Sequence, residues 1–384
     1  MTAFANINEL GFFTGIEQYQ NFSNLKNILE CREMRASATP FEFPEAPRID
    51  LPETYEFEGE QKRLSALLEE TRTGSLLVLR AGKVVYENYS LTGGRDVQWL
   101  SMSVAKSFIS ALVGIAIAEG KIGSVDDPVD RYVPGLDQSA YRGVSIKNVL
   151  QMSSGARWDE DYSNPQSDVM RLGAALAPGG SLDAFVASVP NESPAGTVCR
   201  YNSADTQLLG MLLSHATGTS ISDYMQSRIC EPLGFEAPGF WILDGAGREM
   251  AFAGLNLTAR DFAKLGELFR LGGVWGGQQI VPADYVRASI RADAPHLETG
   301  KPIVGDHPLP FGYGYQWWLT GENGDFSGIG VYNQFVYVSP VNETVIVKSS
   351  ANPLYGTSNE ERTQRDAENV AALKALSAQA ALGG

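Results

Sequence analysis

At 384 residues and 41.6 kDa the chain is long for one compact unit, and its apolar (43%) and charged (20%) fractions exclude a dominantly disordered state. Its 30 basic and 45 acidic residues give a net charge of −15, which argues against a phosphate-tracking surface and sets aside nucleic acid and anionic membranes as partners. Cys31, Cys199 and Cys230 form no framework, and His215, His296 and His307 stand too far apart for a metal-ligand motif, so neither metal nor cofactor is expected.

The N-terminal residues MTAFANINELGFFTGIEQ lack a basic start followed by an apolar run, and no stretch approaches the ~20 apolar residues of a membrane span, so a cytoplasmic location is expected. Residues 1–55, irregular and rich in proline towards the end, predict a wrapping arm. Glu60–Thr71 has the spacing of a helix, with Leu64, Leu67 and Leu68 on one face. Ser75–Arg80 and Lys83–Asn88 predict a hairpin around Ala81-Gly82. An apolar helix is predicted from near Ser103 to Gly120. Helical runs alternating with loops fill the stretch from Ile122 to Pro238. A further helix follows over Leu257–Leu271, with Thr258 as its N-cap. Tyr315–Leu319, Gly330–Val338 and Thr344–Ser349 then read as strands, and the tail 359–381 as a helix.

The fold class predicted is α/β: an antiparallel sheet made from a hairpin at each end, flanked by the terminal helices, beside a mainly helical lobe. The expected division is an arm (1–55), a sheet lobe (56–120 and 255–384) and a helical lobe (121–254), with the site in the cleft between lobes.

Ser103-Val-Ala-Lys106 stands where a polar loop turns into the apolar helix. Residues three apart on a helix share a face, so hydroxyl and amine can meet, and a dehydrated lysine can act as a base. The pattern is weak alone, since Ser23-Asn-Leu-Lys26 repeats it with nothing catalytic nearby. Tyr201 and Ser203, in RYNSA, flank one residue and can enter the same cleft, where a tyrosine could pass a proton to a leaving group. Ser327-Gly-Ile-Gly330 opens a strand whose glycines, Gly328 and Gly330, allow close approach; the Ile329 amide could pair with that of Ser103 as an oxyanion hole. Of Trp317-Trp318, one ring is expected in the core and the other on a wall. Asp159, Glu160 and Asp161 read as a solvated charge run, His215 as a residue without a role in the chemistry, and Cys199 as a small buried residue.

Taken in this order, LSMSVAKSF, DEDYSNPQSDV, RYNSADTQLLG, LTARDFAKLG, GYGYQWWLTG and FSGIGVYNQ resemble the penicillin-recognising serine hydrolases, the class C β-lactamase-like superfamily. The resemblance is strongest to its 6-aminohexanoate-dimer hydrolase and carboxylesterase branch and spans about Gly74 to Ser349. It implies Ser103 as nucleophile, Lys106 as base, Tyr201 as proton relay, and the amides of Ser103 and Ile329 as oxyanion hole. It also implies that Tyr162 closes over the substrate and that Ser203 bonds Lys106; Trp158, Gly328 and Gly330 complete the expected substrate contacts. Gly328-Ile-Gly330 replaces the Lys-Thr-Gly of β-lactamases, which removes a carboxylate-gripping cation. Gly173 stands near the acid that meets an amino group in aminohexanoate hydrolases, unless Asp168 substitutes, and an asparagine of that branch has no counterpart near Phe252–Gly254.

The expected function is therefore a serine hydrolase working through an acyl-enzyme, a carboxylesterase on small or medium esters. Amide hydrolysis of the aminohexanoate type, acyl transfer and weak β-lactamase activity stand as alternatives. The expected partner is a small-molecule ester or amide, and a homodimer is left open.

Overall fold

The computed structural model describes residues 10–304, 308–357 and 359–383; His307 and the first nine residues of the arm lie outside them. In chain order, the elements that position the site are β1 (Thr73–Arg80), β2 (Lys83–Tyr89), α1 (Ala105–Ala118), α2 (Ser203–Thr217), α3 (Ala259–Arg270), β3 (Gly312–Tyr313), β4 (Trp318–Leu319), β5 (Phe326–Gly330), β6 (Gln334–Ser339), β7 (Thr344–Ser350) and α4 (Asn359–Leu382). The strands form one antiparallel sheet in the order β3-β4-β5-β6-β7-β1-β2, so the N-terminal hairpin pairs with the C-terminal strands through β7 and β1.

Both faces of this sheet are covered, which explains why its strands read as continuous apolar runs such as LLVL and FVYV. Leu77, Leu79, Val336, Val338, Val345 and Val347 face α1 and α3 in the main core. Leu76, Val78, Tyr337 and Ile346 face the opposite way, against Val370, Leu373 and Leu376 of α4. Gly266 brings α3 close: a Cβ there would stand 2.6 Å from Val345 Cγ1. Between α1 and α3 the chain is mostly short helices and loops around α2, which packs on α1.

The differences from the sequence reading lie at turns. Glu60–Arg63 is not helix but a strand paired with Thr54–Phe57, because Glu58 and Gly59 both take positive φ and make a tight hairpin; the helix begins at Leu64. Gly330–Val338 is two strands, broken at Tyr332 and Asn333, both left-handed (φ 64° and 65°). The arm contributes Cys31–Met34 to a second sheet, with Gly239–Ile242, Leu255–Leu257 and Trp99–Leu100. That sheet delivers the chain directly to Ser103. Among the described residues no helix is long and apolar enough to cross a membrane.

Candidate active site

From Leu100 the chain turns through Met102 (φ 45°, an uncommon conformation for a side-chain-bearing residue) into a tight helical turn, Met102–Val104, that runs on into α1. The turn puts Ser103 at the head of an apolar helix and Lys106 one turn further in. Lys106 is 1% exposed. Its Nζ donates to Ser103 Oγ (3.0 Å), Ser203 Oγ (3.2 Å) and the Phe252 carbonyl (2.9 Å), which occupies every N–H of the ammonium form. Burial lowers the Lys106 pKa to about 7, opposed only in part by the field of Glu160.

Tyr201 meets Ser103 from the other side. Its ring lies 5.1 Å from Lys106 Nζ, it stacks on Trp318 at 5.2 Å, and it lines a cavity together with Ser103. The Tyr201 amide donates to the Ile303 carbonyl at 2.7 Å, fixing the loop before α2. Burial, then the field of Glu160, push the phenol well above its ordinary range, so it stays protonated. The tryptophan pair divides as its alternation predicts: Trp317 is fully buried against Phe269 and Phe326, while Trp318 lines the cavity beside Tyr201.

Glu160 was not foreseen as part of this cluster. Asp159 is exposed, but Glu160 is 6% exposed and accepts from Ser203 Oγ (2.8 Å), the Ser203 amide (3.2 Å), Tyr162 Oη (2.6 Å) and Trp158 Nε1. Its carboxylate therefore sits on the N-terminus of α2, where free amides favour negative charge, and reaches Lys106 through one hydroxyl. A signal was present: in Trp158-Asp-Glu-Asp-Tyr162 alternate residues point the same way in an extended segment, grouping Glu160 with two aromatic rings.

The strand β5 lies against this helix head. A Cβ on Gly330 would stand 2.7 Å from the Ser101 carbonyl and 3.0 Å from the Ser103 amide, so glycine here lets β5 reach the serine. Ile329 and Gly330 line a cavity with Ser103, Tyr162 and Tyr201. Gly328 does not join them: its missing side chain faces Ser107 and Val104, and it serves packing against α1 rather than substrate contact. Trp158 is likewise no wall residue; it is buried, with its ring edge-on to Phe185. Asp168 accepts from the Asp159 amide and Arg171 and does not substitute at Gly173, which lines a cavity with open space around its Cα. In the second Ser-x-x-Lys, Lys26 pairs with Glu33 on the surface. Cys199 is buried, and His215 is exposed near the end of α2.

Ser103 thus opens on two spaces. One, about 50 Å³, is bounded by Tyr201, Trp318, Phe311 and Asp366. The other, about 230 Å³, is apolar and bounded by Met102, Met250, Phe252, Val169 and two phenylalanines of the arm.

A buried serine–lysine–tyrosine cluster between an antiparallel sheet and a helical region is the arrangement of hydrolases with the β-lactamase/penicillin-binding-protein fold. The β-lactamase family model matches residues 61–371, and the chain belongs to that family. It is 32% identical over 297 residues to the 6-aminohexanoate-dimer hydrolase of Paenarthrobacter ureafaciens, covering 76% of this chain and 75% of that one. Among solved structures, a 6-aminohexanoate-dimer hydrolase homologue from Bacillus anthracis superposes with a TM-score of 0.80 at 23% identity, over 97% of this chain and 98% of that one. A family VIII carboxylesterase follows at 0.60 and 15%, over 81% and 97%.

Proposed function

We propose that the protein is a carboxylesterase that acts through an acyl-enzyme on Ser103. The observation that carries this reading is the Ser103 hydroxyl accepting from the buried Lys106 amine at 3.0 Å, in a cavity that Tyr201 also lines; burial lowers the lysine's pKa and raises the phenol's. Uncharged Lys106 takes the Ser103 proton while Oγ attacks the ester carbonyl carbon. The developing oxyanion is received by the amides of Ser103 and Ile329, a role supported by both residues lining the same cavity. As the C–O bond breaks, Tyr201 gives its proton to the departing alkoxide and regains one from the Lys106 ammonium. Water then follows the reverse path and releases the acid. Glu160, acting through Ser203, is a positioning residue that favours the ammonium form once the proton has moved.

The cation that grips a substrate carboxylate and the acid that meets a substrate amino group in related enzymes are replaced here by glycines at 328 and 173, which supports an uncharged substrate. Amide cleavage is the second reading, favoured by identity to the Paenarthrobacter hydrolase. A panel of p-nitrophenyl butyrate, linear aminohexanoate dimer and a chromogenic cephalosporin separates them. The ester is expected to lead in kcat/KM by about 100-fold, on the scale that protonation of a poor leaving group commands; an aminohexanoate dimer cleaved faster than the ester would replace this reading with the second.

Glu160→Gln gives a prediction with a definite sign. The carboxylate raises the Lys106 pKa against desolvation, so its loss lets that pKa fall further. The rising limb of the kcat/KM profile is expected to move to lower pH while kcat drops about 10- to 100-fold. A drop in kcat with an unmoved limb would assign Glu160 to loop structure alone.

A further inference from the structure

The larger cavity beside Ser103 is closed on one side by a piece of chain distant in sequence. Gly11, Phe12, Phe13 and Thr14 of the arm line it, opposite Met250 and Phe252. Their turn is held firmly. The buried Gln18 side chain donates to the carbonyls of Leu10 (2.8 Å) and Gly11 (3.2 Å). The Phe13 amide donates to Tyr332 Oη at 2.8 Å, and the Phe13 ring packs between Tyr332 (5.3 Å) and Tyr162 (4.5 Å). Phe13 has φ 63°, in the left-handed region that side-chain-bearing residues avoid. Such a conformation persists only where the surroundings over-determine it, and it gathers at functional sites. Gly356 makes room for it, since a Cβ there would stand 2.4 Å from Phe13 Cδ1.

Which half of the substrate enters this space follows from Tyr201. Tyr201 lines the smaller cavity and not the larger. A leaving group protonated by Tyr201 departs on the Tyr201 side, so the acyl chain lies on the other. Among the described residues, none of those bounding the larger cavity is Asp, Glu, Lys, Arg or His, so a charged acyl group would find no ionic partner among them. A cavity of 150 Å³ holds benzene, so about 230 Å³ has room for roughly six to nine carbon atoms.

Resting on the acyl-enzyme reading above, we propose that this cavity is an acyl-chain pocket for uncharged aliphatic or aryl acids of medium length. Phe13 of the N-terminal arm is its specificity-determining wall.

The test is the ratio of kcat/KM across p-nitrophenyl acetate, butyrate, hexanoate and decanoate for the full chain, Phe13→Ala and the milder Phe13→Leu, with Tm recorded for each. The native chain should peak at hexanoate. Phe13→Ala should raise the decanoate-to-acetate ratio at least about 10-fold, and Phe13→Leu should move it the same way by less. An unchanged ratio in both variants, with or without a loss in Tm, overturns the acyl-wall role while leaving the esterase reading intact. Failure of the native chain to turn over any of the four esters would instead remove the reading on which the pocket rests.

Discussion

Ser103→Ala is expected to remove ester turnover almost completely, by about 10⁴- to 10⁶-fold in kcat, the range seen when the nucleophile of a cooperating group is deleted. The reason is local. The hydroxyl is the oxygen that the Lys106 amine contacts at 3.0 Å in the cavity Tyr201 lines, and without it neither residue has an attacking oxygen to serve. Fold should survive the change. Ser103 makes no bond that a helix needs, its helix is held by Phe108, Ile109 and Leu112 in the main core, and removal of one hydroxyl leaves no cavity of consequence. The measurement is p-nitrophenyl butyrate hydrolysis with Tm alongside. A variant that turns over the ester like the native chain would dismiss Ser103 as nucleophile.

Lys106→Met carries the second large effect, about 10³- to 10⁴-fold in kcat/KM, because it takes away the base while preserving length and apolar volume. The native rate should rise with pH through about 7, as the buried ammonium gives up its proton. It should then stay level through pH 9, because the Tyr201 phenol titrates well above its ordinary range. In Lys106→Met the limb near pH 7 should vanish. Stability moves the other way. Unfolded Lys106 binds its proton up to about pH 10.4 whereas the folded amine releases it near 7, so between those values the lysine costs the fold stability that grows as pH falls. Below the folded value the cost is constant and greatest. Methionine removes it, and Tm at pH 7 should be held or raised. A limb that persists in the variant would place the titrating base elsewhere.

The parts of this molecule legible in the sequence are those fixed by short-range periodicity. The three-residue spacing of Ser103 and Lys106 at the head of FISALVGIAIA determined their contact, since a helix leaves such a pair no alternative. The same holds for the hairpin at Ala81-Gly82, the N-cap at Thr258 and the division of Trp317 from Trp318. What escaped was decided by the backbone at single residues or by distant chain. Tyr332 and Asn333 break a strand through left-handed φ, which asparagine tolerates but the Tyr332 side chain does not announce. Glu160 reads as one of three solvated acids until α2 supplies the amide and hydroxyl of Ser203. Gly328 and Gly330, alike in sequence, separate because only Gly330 faces the serine. The phenylalanines at 12 and 13 gained meaning only when the arm was seen folded over Ser103.

The acyl-enzyme itself offers the most direct test. p-Nitrophenyl butyrate in excess, quenched with acid within milliseconds and followed by intact mass and peptide mapping, should give one butyryl group per chain on the peptide holding residue 103. A butyryl group on any other side chain would contradict the assignment of the attacking oxygen.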